Sequence, residues 1–151
     1  MTDAVSSLPL VAVLLPTVAI PLVYAARARP NVREAVTLLA AAGTLVAVWV
    51  MTQSPATPVA SLGSVAGVSF DLRADAAGLL FALLASTLWL VTSVYSIGYV
   101  RAVEERSQTS YFAAFAASIA ATMGVALAAN LFTLFVFYEL LTLATYPLVV
   151  H

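Results

Sequence analysis

The sequence predicts an all-α polytopic membrane protein with about five transmembrane helices. Hydrophobic residues make up 63% of the 151 residues and charged residues only 9%, whereas about a quarter of the residues in a soluble domain are charged. The charges fall into a few short clusters, and the runs between them are long enough to cross a hydrocarbon core about 30 Å thick. We predict one membrane domain over residues 1–151. Its predicted helices are residues 8–26, 35–51, 76–100, 111–129 and 131–150, with an outer loop at 53–74.

The first predicted helix, residues 8–26, is apolar throughout and contains Pro16 and Pro21. A proline inside a helix removes a backbone donor and causes a kink, which membrane helices tolerate when neighbouring groups satisfy the freed carbonyls. A secretory signal would carry a basic residue ahead of its apolar segment, but the only early charge here is Asp3. We therefore expect a retained helix, either a loosely packed edge helix or a hinge.

A basic turn containing Arg27, Arg29 and Arg33 precedes the second helix. The outer loop at 53–74 is interrupted by prolines and glycines, so it predicts a short extended or hairpin excursion on the membrane surface. Asp75 follows this loop directly and is a candidate N-cap for the third helix.

Small residues recur every four positions in the fourth helix, residues 111–129. Such a face lets helix backbones approach closely, and only about one residue, Asn130, separates this helix from the next. We expect helices four and five to pack as an antiparallel pair. The small residues at this spacing are Ala116, Ala120, Gly124 and Ala128.

Five helices place the first and third connections on the same side of the membrane. All six arginines are predicted to lie in connections, and only Arg73 is on the opposite side. Because positive charge favours the cytoplasmic side, we predict that the N-terminus lies outside a bacterial-type inner membrane and that His151 lies at the cytoplasmic side. The third connection is a solvated polar segment formed by Arg101, Glu104, Glu105 and Arg106.

One carboxylate, Glu139, interrupts the fifth helix roughly 12 Å from Leu131, close to the expected midplane. A charge at that depth costs at least about 2.5 kcal/mol, so it indicates a functional group. At about 100° per residue, one sector of the helix holds Glu139 together with two tyrosines and two threonines, and Pro147 frees a backbone carbonyl one turn away. The supporting residues are Tyr138, Thr142, Thr145, Tyr146 and Pro147.

A carboxyl in this position suits a proton relay, because removal from water favours its neutral form and a nearby cation favours its charged form. The alternative is a protonated glutamate that only hydrogen-bonds a neighbouring helix. The chain has no lysine and no arginine predicted within a helix, so an ionised Glu139 needs a cation from elsewhere. We therefore expect part of a larger membrane unit, whether the chain is truncated or completed by other chains.

No cofactor, metal site or nucleic-acid partner is predicted. Cysteine is absent, and His151 is the single histidine. No HExxH or GxSxG motif supports a membrane-embedded hydrolase. The predicted partners are the lipid bilayer, further subunits and protons, with sodium ions as an open alternative.

Two segments carry a family resemblance. Residues 75–100, with Tyr95-Ser96-Ile97-Gly98-Tyr99, and residues 111–151, with Tyr138-Glu139-Leu140-Leu141 followed by Thr145-Tyr146-Pro147, resemble the start of the proton-conducting, antiporter-like membrane subunits. These subunits occur in respiratory complex I (NADH:quinone oxidoreductase), in Mrp-type monovalent cation/proton antiporters and in membrane-bound hydrogenases.

The resemblance implies that the chain corresponds to the first third of a larger helix bundle. The essential intramembrane glutamate of the family maps to Glu139, and its partner lysines lie on later helices that this sequence lacks. Tyr138, where complex I members often have tryptophan, and Thr145-Tyr146-Pro147 favour a protein similar to the D-type component of Mrp antiporters.

The function that follows is translocation of protons, or exchange of sodium ions for protons, without redox chemistry in this chain. If the parent is complex I or a hydrogenase, the chain belongs to the proton pump of an oxidoreductase. The alternative is a non-transporting scaffold or assembly subunit in which Glu139 is a structural hydrogen bond.

Overall fold

The computed structural model describes residues 7–54, 57–65, 67–102 and 108–150. Within these ranges the chain forms five long helices and one β-hairpin. They are α1 (Leu8–Ala25), α2 (Pro30–Thr52), β1 (Val59–Val65), β2 (Val68–Arg73), α3 (Ala76–Ala102), α4 (Gln108–Ala126) and α5 (Leu131–Val150). The interpretations placed on Asp3, Glu104, Glu105, Arg106 and His151 concern residues outside the described ranges.

The predicted fold class is confirmed. Five helices in the described part of the chain are long and apolar enough to cross a membrane. The shortest, α1, has 18 residues and is about 27 Å long, close to the thickness of the hydrocarbon core. The longest, α3, has 27 residues and is about 40 Å long, so it crosses with a tilt or extends beyond the core.

The start of α2 differs from the sequence prediction. The helix begins at Pro30 rather than at residue 35, because proline suits the first helical position, where its missing N–H would have no partner. Arg33 therefore lies within α2, and Arg101 lies in the last turn of α3. The prediction that every arginine lies in a connection is wrong for these two residues, which occupy helix ends.

Helices α1 to α4 form a closed bundle, and α5 lies at its edge. α1 packs on α2 and α4, α3 packs on α2 and α4, and α5 packs mainly on α4 and touches β2. Small residues on each of the four bundle helices are fully buried, which lets the backbones approach closely. They are Ala12, Ala41, Ala82 and Ala116.

Helices α4 and α5 meet where a glycine faces an aromatic ring. A Cβ atom on Gly124 would lie 2.1 Å from the Phe137 ring, so no other residue fits at this position without a shift. Ala116 and Ala120 on the same face of α4 are also buried. Gly124 thus packs against α5, and the two helices are paired as predicted. The predicted one-residue connection is wrong, because α4 ends at Ala126 and residues 127–130, which include Ala128, lie between the helices.

The outer loop contains a β-hairpin, one of the two conformations predicted for it. β1 and β2 pair antiparallel, from Val59 opposite Arg73 to Val65 opposite Val68. The register shifts between Ser61 and Ser64, where Gly63 has a φ of +113° that favours glycine.

β2 is fixed to the connection between α4 and α5. The Arg73 N–H donates to the Leu127 carbonyl at 2.6 Å, and the Ala129 N–H donates to the Asp71 carbonyl at 3.0 Å. The Asp71 N–H donates to Thr133 Oγ1 in α5 at 3.2 Å. Hydrogen bonds from the Ser61 and Ser69 hydroxyls lower the pKa of the Asp71 carboxyl below its ordinary value.

Two side chains cap the helices that leave this region. Asp75 Oδ1 accepts a hydrogen bond from the Gly78 N–H at 2.7 Å, which confirms the predicted cap of α3. Asn130 Oδ1 accepts from the Thr133 N–H at 2.8 Å and caps α5 in the same way. The hairpin and the starts of α3 and α5 therefore lie at one end of the bundle.

Candidate functional site

Glu139 is the ninth of the twenty residues of α5. At about 1.5 Å per residue it lies roughly 12 Å from the start of the helix, the depth predicted from the sequence. Its side chain is exposed and makes no hydrogen bond or ion pair with the described part of the chain. Glu139 therefore faces away from the bundle formed by the other four helices.

The predicted polar sector is present on this outward face of α5. The side chain of Tyr138 is 58% exposed and that of Tyr146 is 68% exposed. Thr142 and Pro147 are also exposed, and Thr145 is half-buried. The buried side of the helix is formed instead by Thr133 and Phe137.

The side chains of this sector lie on one face of α5 but do not form a hydrogen-bonded network with one another. Thr142 Oγ1 donates to the Tyr138 carbonyl at 3.1 Å, and Thr145 Oγ1 donates to the Leu141 carbonyl at 3.0 Å. Threonines in helices commonly bond the preceding turn in this way. Neither hydroxyl reaches Glu139, so its carboxylate is left to groups outside the described chain.

A second polar cluster, not predicted from the sequence, lies at the end of the bundle where α2 and α4 begin and α3 ends. Glu34 is only 6% exposed, and its carboxylate accepts two hydrogen bonds from the Arg101 guanidinium. One of them joins Arg101 Nε to Glu34 Oε1 at 2.9 Å. Arg101 also donates to Asn31 Oδ1 at 2.6 Å. The pair ties the first turns of α2 to the last turn of α3.

Arg33 extends the cluster to α4. It is only 4% exposed, and it donates to Thr109 Oγ1 at 3.1 Å and to Gln108 Oε1 at 2.5 Å. Its guanidinium lies 5.5 Å from the centre of the Phe112 ring, close enough for a cation–π interaction. Its Nε atom is buried without a hydrogen-bond partner among the described residues.

Pro30 was the sequence signal that could have revealed this cluster. A proline marks the first position of a helix, so Arg33 and Glu34 fall in the first turns of α2 rather than in a loop. The cluster also brings the beginning of α2, the end of α3 and the beginning of α4 to the same end of the bundle.

No protein-family model matches the chain. The chain is similar to curated proteins named Na⁺/H⁺ antiporter subunit A1 from Staphylococcus aureus, including strains bovine RF122 / ET3-1, JH9 and Newman. Each is 34% identical over 83 residues, which is 55% of this chain and 10% of the relative. The match thus spans about a tenth of the length of these relatives. It supports the antiporter part of the predicted resemblance, while the preference for the D-type component of Mrp antiporters stays a prediction.

Proposed function

We propose that the chain is the N-terminal portion of a cation/proton antiporter-like membrane subunit and that Glu139 exchanges a proton during ion translocation. The observation that supports this proposal most directly is the position of Glu139, which lies in the middle of α5 on an uncovered polar face. The similarity to Na⁺/H⁺ antiporter subunits supports the same function. The transported ion is the proton alone, or a sodium ion exchanged for protons.

The uncovered face indicates how the acid is used. A carboxylate exposed to lipid is costly, so this face packs against protein or confined water in the working protein. Removal from bulk water favours the neutral form of such an acid, and a cation approaching it favours the charged form. A cationic side chain from an adjacent helix would therefore set the protonation state of Glu139. Tyr138 and Tyr146 would flank the acid on the same face.

We also propose that the cluster end of the bundle faces the cytoplasm. Arg27, Arg29, Arg33 and Arg101 lie at that end, whereas Arg73 lies in the hairpin at the other. The bias of positive charge toward the cytoplasmic side supports this orientation. The subunit would then lie in a bacterial-type inner membrane with its N-terminus outside, within a multi-subunit antiporter.

Glu139→Gln tests the proposed relay. The amide retains most hydrogen bonding but cannot titrate, so we expect normal assembly with cation/proton exchange reduced about a hundredfold, as for loss of a proton-transferring group. Exchange is measured with a pH-sensitive dye in everted membrane vesicles that contain the whole complex. Glu139→Asp should retain partial activity.

Phe135→Leu is the matched control, because Phe135 is exposed one turn before Glu139 on α5 and has no titratable group. It should leave exchange unchanged. Normal exchange by Glu139→Gln in a fully assembled complex would instead favour a scaffold role.

A further inference from the structure

A groove runs along the surface between α1, α4 and α5. It consists of two cavities of about 390 Å³ and 160 Å³, which share Ile20, Ala117 and Ala144 in their walls. The small side chains of α4 form its floor, and larger apolar side chains of α1 and α5 form its sides. The two cavities therefore adjoin, and their walls are mostly apolar.

The length of the groove matches one leaflet of a bilayer. Its wall on α1 extends from Val13 to Tyr24, twelve residues whose ends are separated by roughly 16 Å along the helix. Half of a hydrocarbon core of about 30 Å is about 15 Å. A transmembrane helix needs the whole thickness and is about 10 Å wide, so the groove fits an extended acyl chain better than a helix.

One end of the groove carries polar groups and is followed along the chain by two arginines. Tyr24 and Ser110 line this end. Arg27 lies three residues beyond Tyr24, and its backbone N–H donates to the Tyr24 carbonyl at 3.2 Å. The side chains of Arg27 and Arg29 are exposed and make no hydrogen bond or ion pair with the residues that the structure describes.

We propose that this groove binds an anionic phospholipid. One acyl chain lies on the alanine face of α4, and Arg27 and Arg29 hold the headgroup phosphate. Arg27, three residues beyond Tyr24, and Arg29 in the same turn are exposed past this end of the groove. Their charge complements that of such a lipid, and arginine binds phosphate in a bidentate manner. The site contains neither Glu139 nor the buried arginine cluster, although Pro147 of the polar sector lines it, so lipid retention and ion exchange are measured separately.

Lipid retention tests the site. The protein is purified in mild detergent in the assembly in which it occurs, incubated with phosphatidylglycerol or phosphatidylcholine of identical acyl chains, and analysed by native mass spectrometry. We expect retention of phosphatidylglycerol in preference to phosphatidylcholine. Ala117→Leu fills the floor of the groove and should remove most of the bound lipid. Ala35→Leu, an exposed alanine outside the groove, should not.

Charge variants provide a second measurement that does not depend on packing. Arg27→Gln combined with Arg29→Gln should abolish the preference for phosphatidylglycerol, whereas Arg27→Lys combined with Arg29→Lys should keep it. Arg73→Gln, which removes an exposed arginine at the other end of the bundle, should have no effect. Equal retention of the two lipids by the unmodified protein would overturn the proposal. Retention of neither lipid would overturn it too, because protein would then fill the groove.

Discussion

Arg101 binds the carboxylate of Glu34 through two guanidinium nitrogens, joining the last turn of α3 to the beginning of α2 across 67 residues of sequence. The glutamate is buried, whereas half of the arginine side chain remains exposed. The arginine therefore lies on the exposed side of the cluster and covers the buried carboxylate.

Arg101→Gln should destabilise the protein more than Arg101→Gln combined with Glu34→Gln. The single change leaves a buried carboxylate without its cation, whereas the double change leaves two neutral amides. A double-mutant cycle on the midpoint of thermal unfolding in detergent measures this coupling. Strictly additive midpoints would show that the pair contributes nothing beyond its separate groups.

Hydropathy identifies the elements of this fold but not their polar connections. Long apolar runs specify the five helices, and Asp75 before an apolar run predicts a cap that the structure contains. The same criterion starts the second helix only after its charged residues, so it assigns Arg33 and Glu34 to a loop. Their burial depends on Arg101 and on the beginning of α4, partners that are distant in sequence.

Helical periodicity was sufficient to place Glu139 on one face with its tyrosines and threonines. Periodicity could not predict which groups cover that face, because none of the described residues makes a hydrogen bond or ion pair with Glu139. The threonine hydroxyls also bond their own helix, an arrangement that a projection of side-chain directions does not reveal.

Gly124→Ala should weaken the packing of α5 on α4. The new methyl group would overlap the Phe137 ring, and overpacking of this kind costs about 1–3 kcal/mol. The free energy of unfolding is measured by titration with sodium dodecyl sulfate. Gly98→Ala is the control, because a Cβ there meets nothing within 4 Å. It should stabilise α3 by up to about 1 kcal/mol, and equal effects of the two variants would contradict the packing.

Asn130 has two separable roles. Its Oδ1 atom caps α5, and its Nδ2 group donates to the Ser69 carbonyl at 2.9 Å. Asn130→Ala removes both interactions and should cost about 2 kcal/mol, roughly 1 for the cap and 1 for the hydrogen bond. Asn130→Asp keeps the cap acceptor, so about half of the loss should be recovered in the same titration. An aspartate variant as unstable as the alanine variant would show that the cap contributes little.

The proposed orientation predicts which cysteines a membrane-impermeant maleimide can reach. The chain contains no cysteine, so a single introduced thiol is the only reactive site in the chain. Leu62 in the hairpin and Ala28 between α1 and α2 are both exposed and lie at opposite ends of the bundle. Leu62→Cys should react in intact cells, and Ala28→Cys should react only after the membrane is permeabilised. The arginines beside Ala28 then lie where cytoplasmic positive charge is favoured. The reverse labelling pattern would show that the topology is inverted. Arg27 and Arg29 would then lie at the outer leaflet.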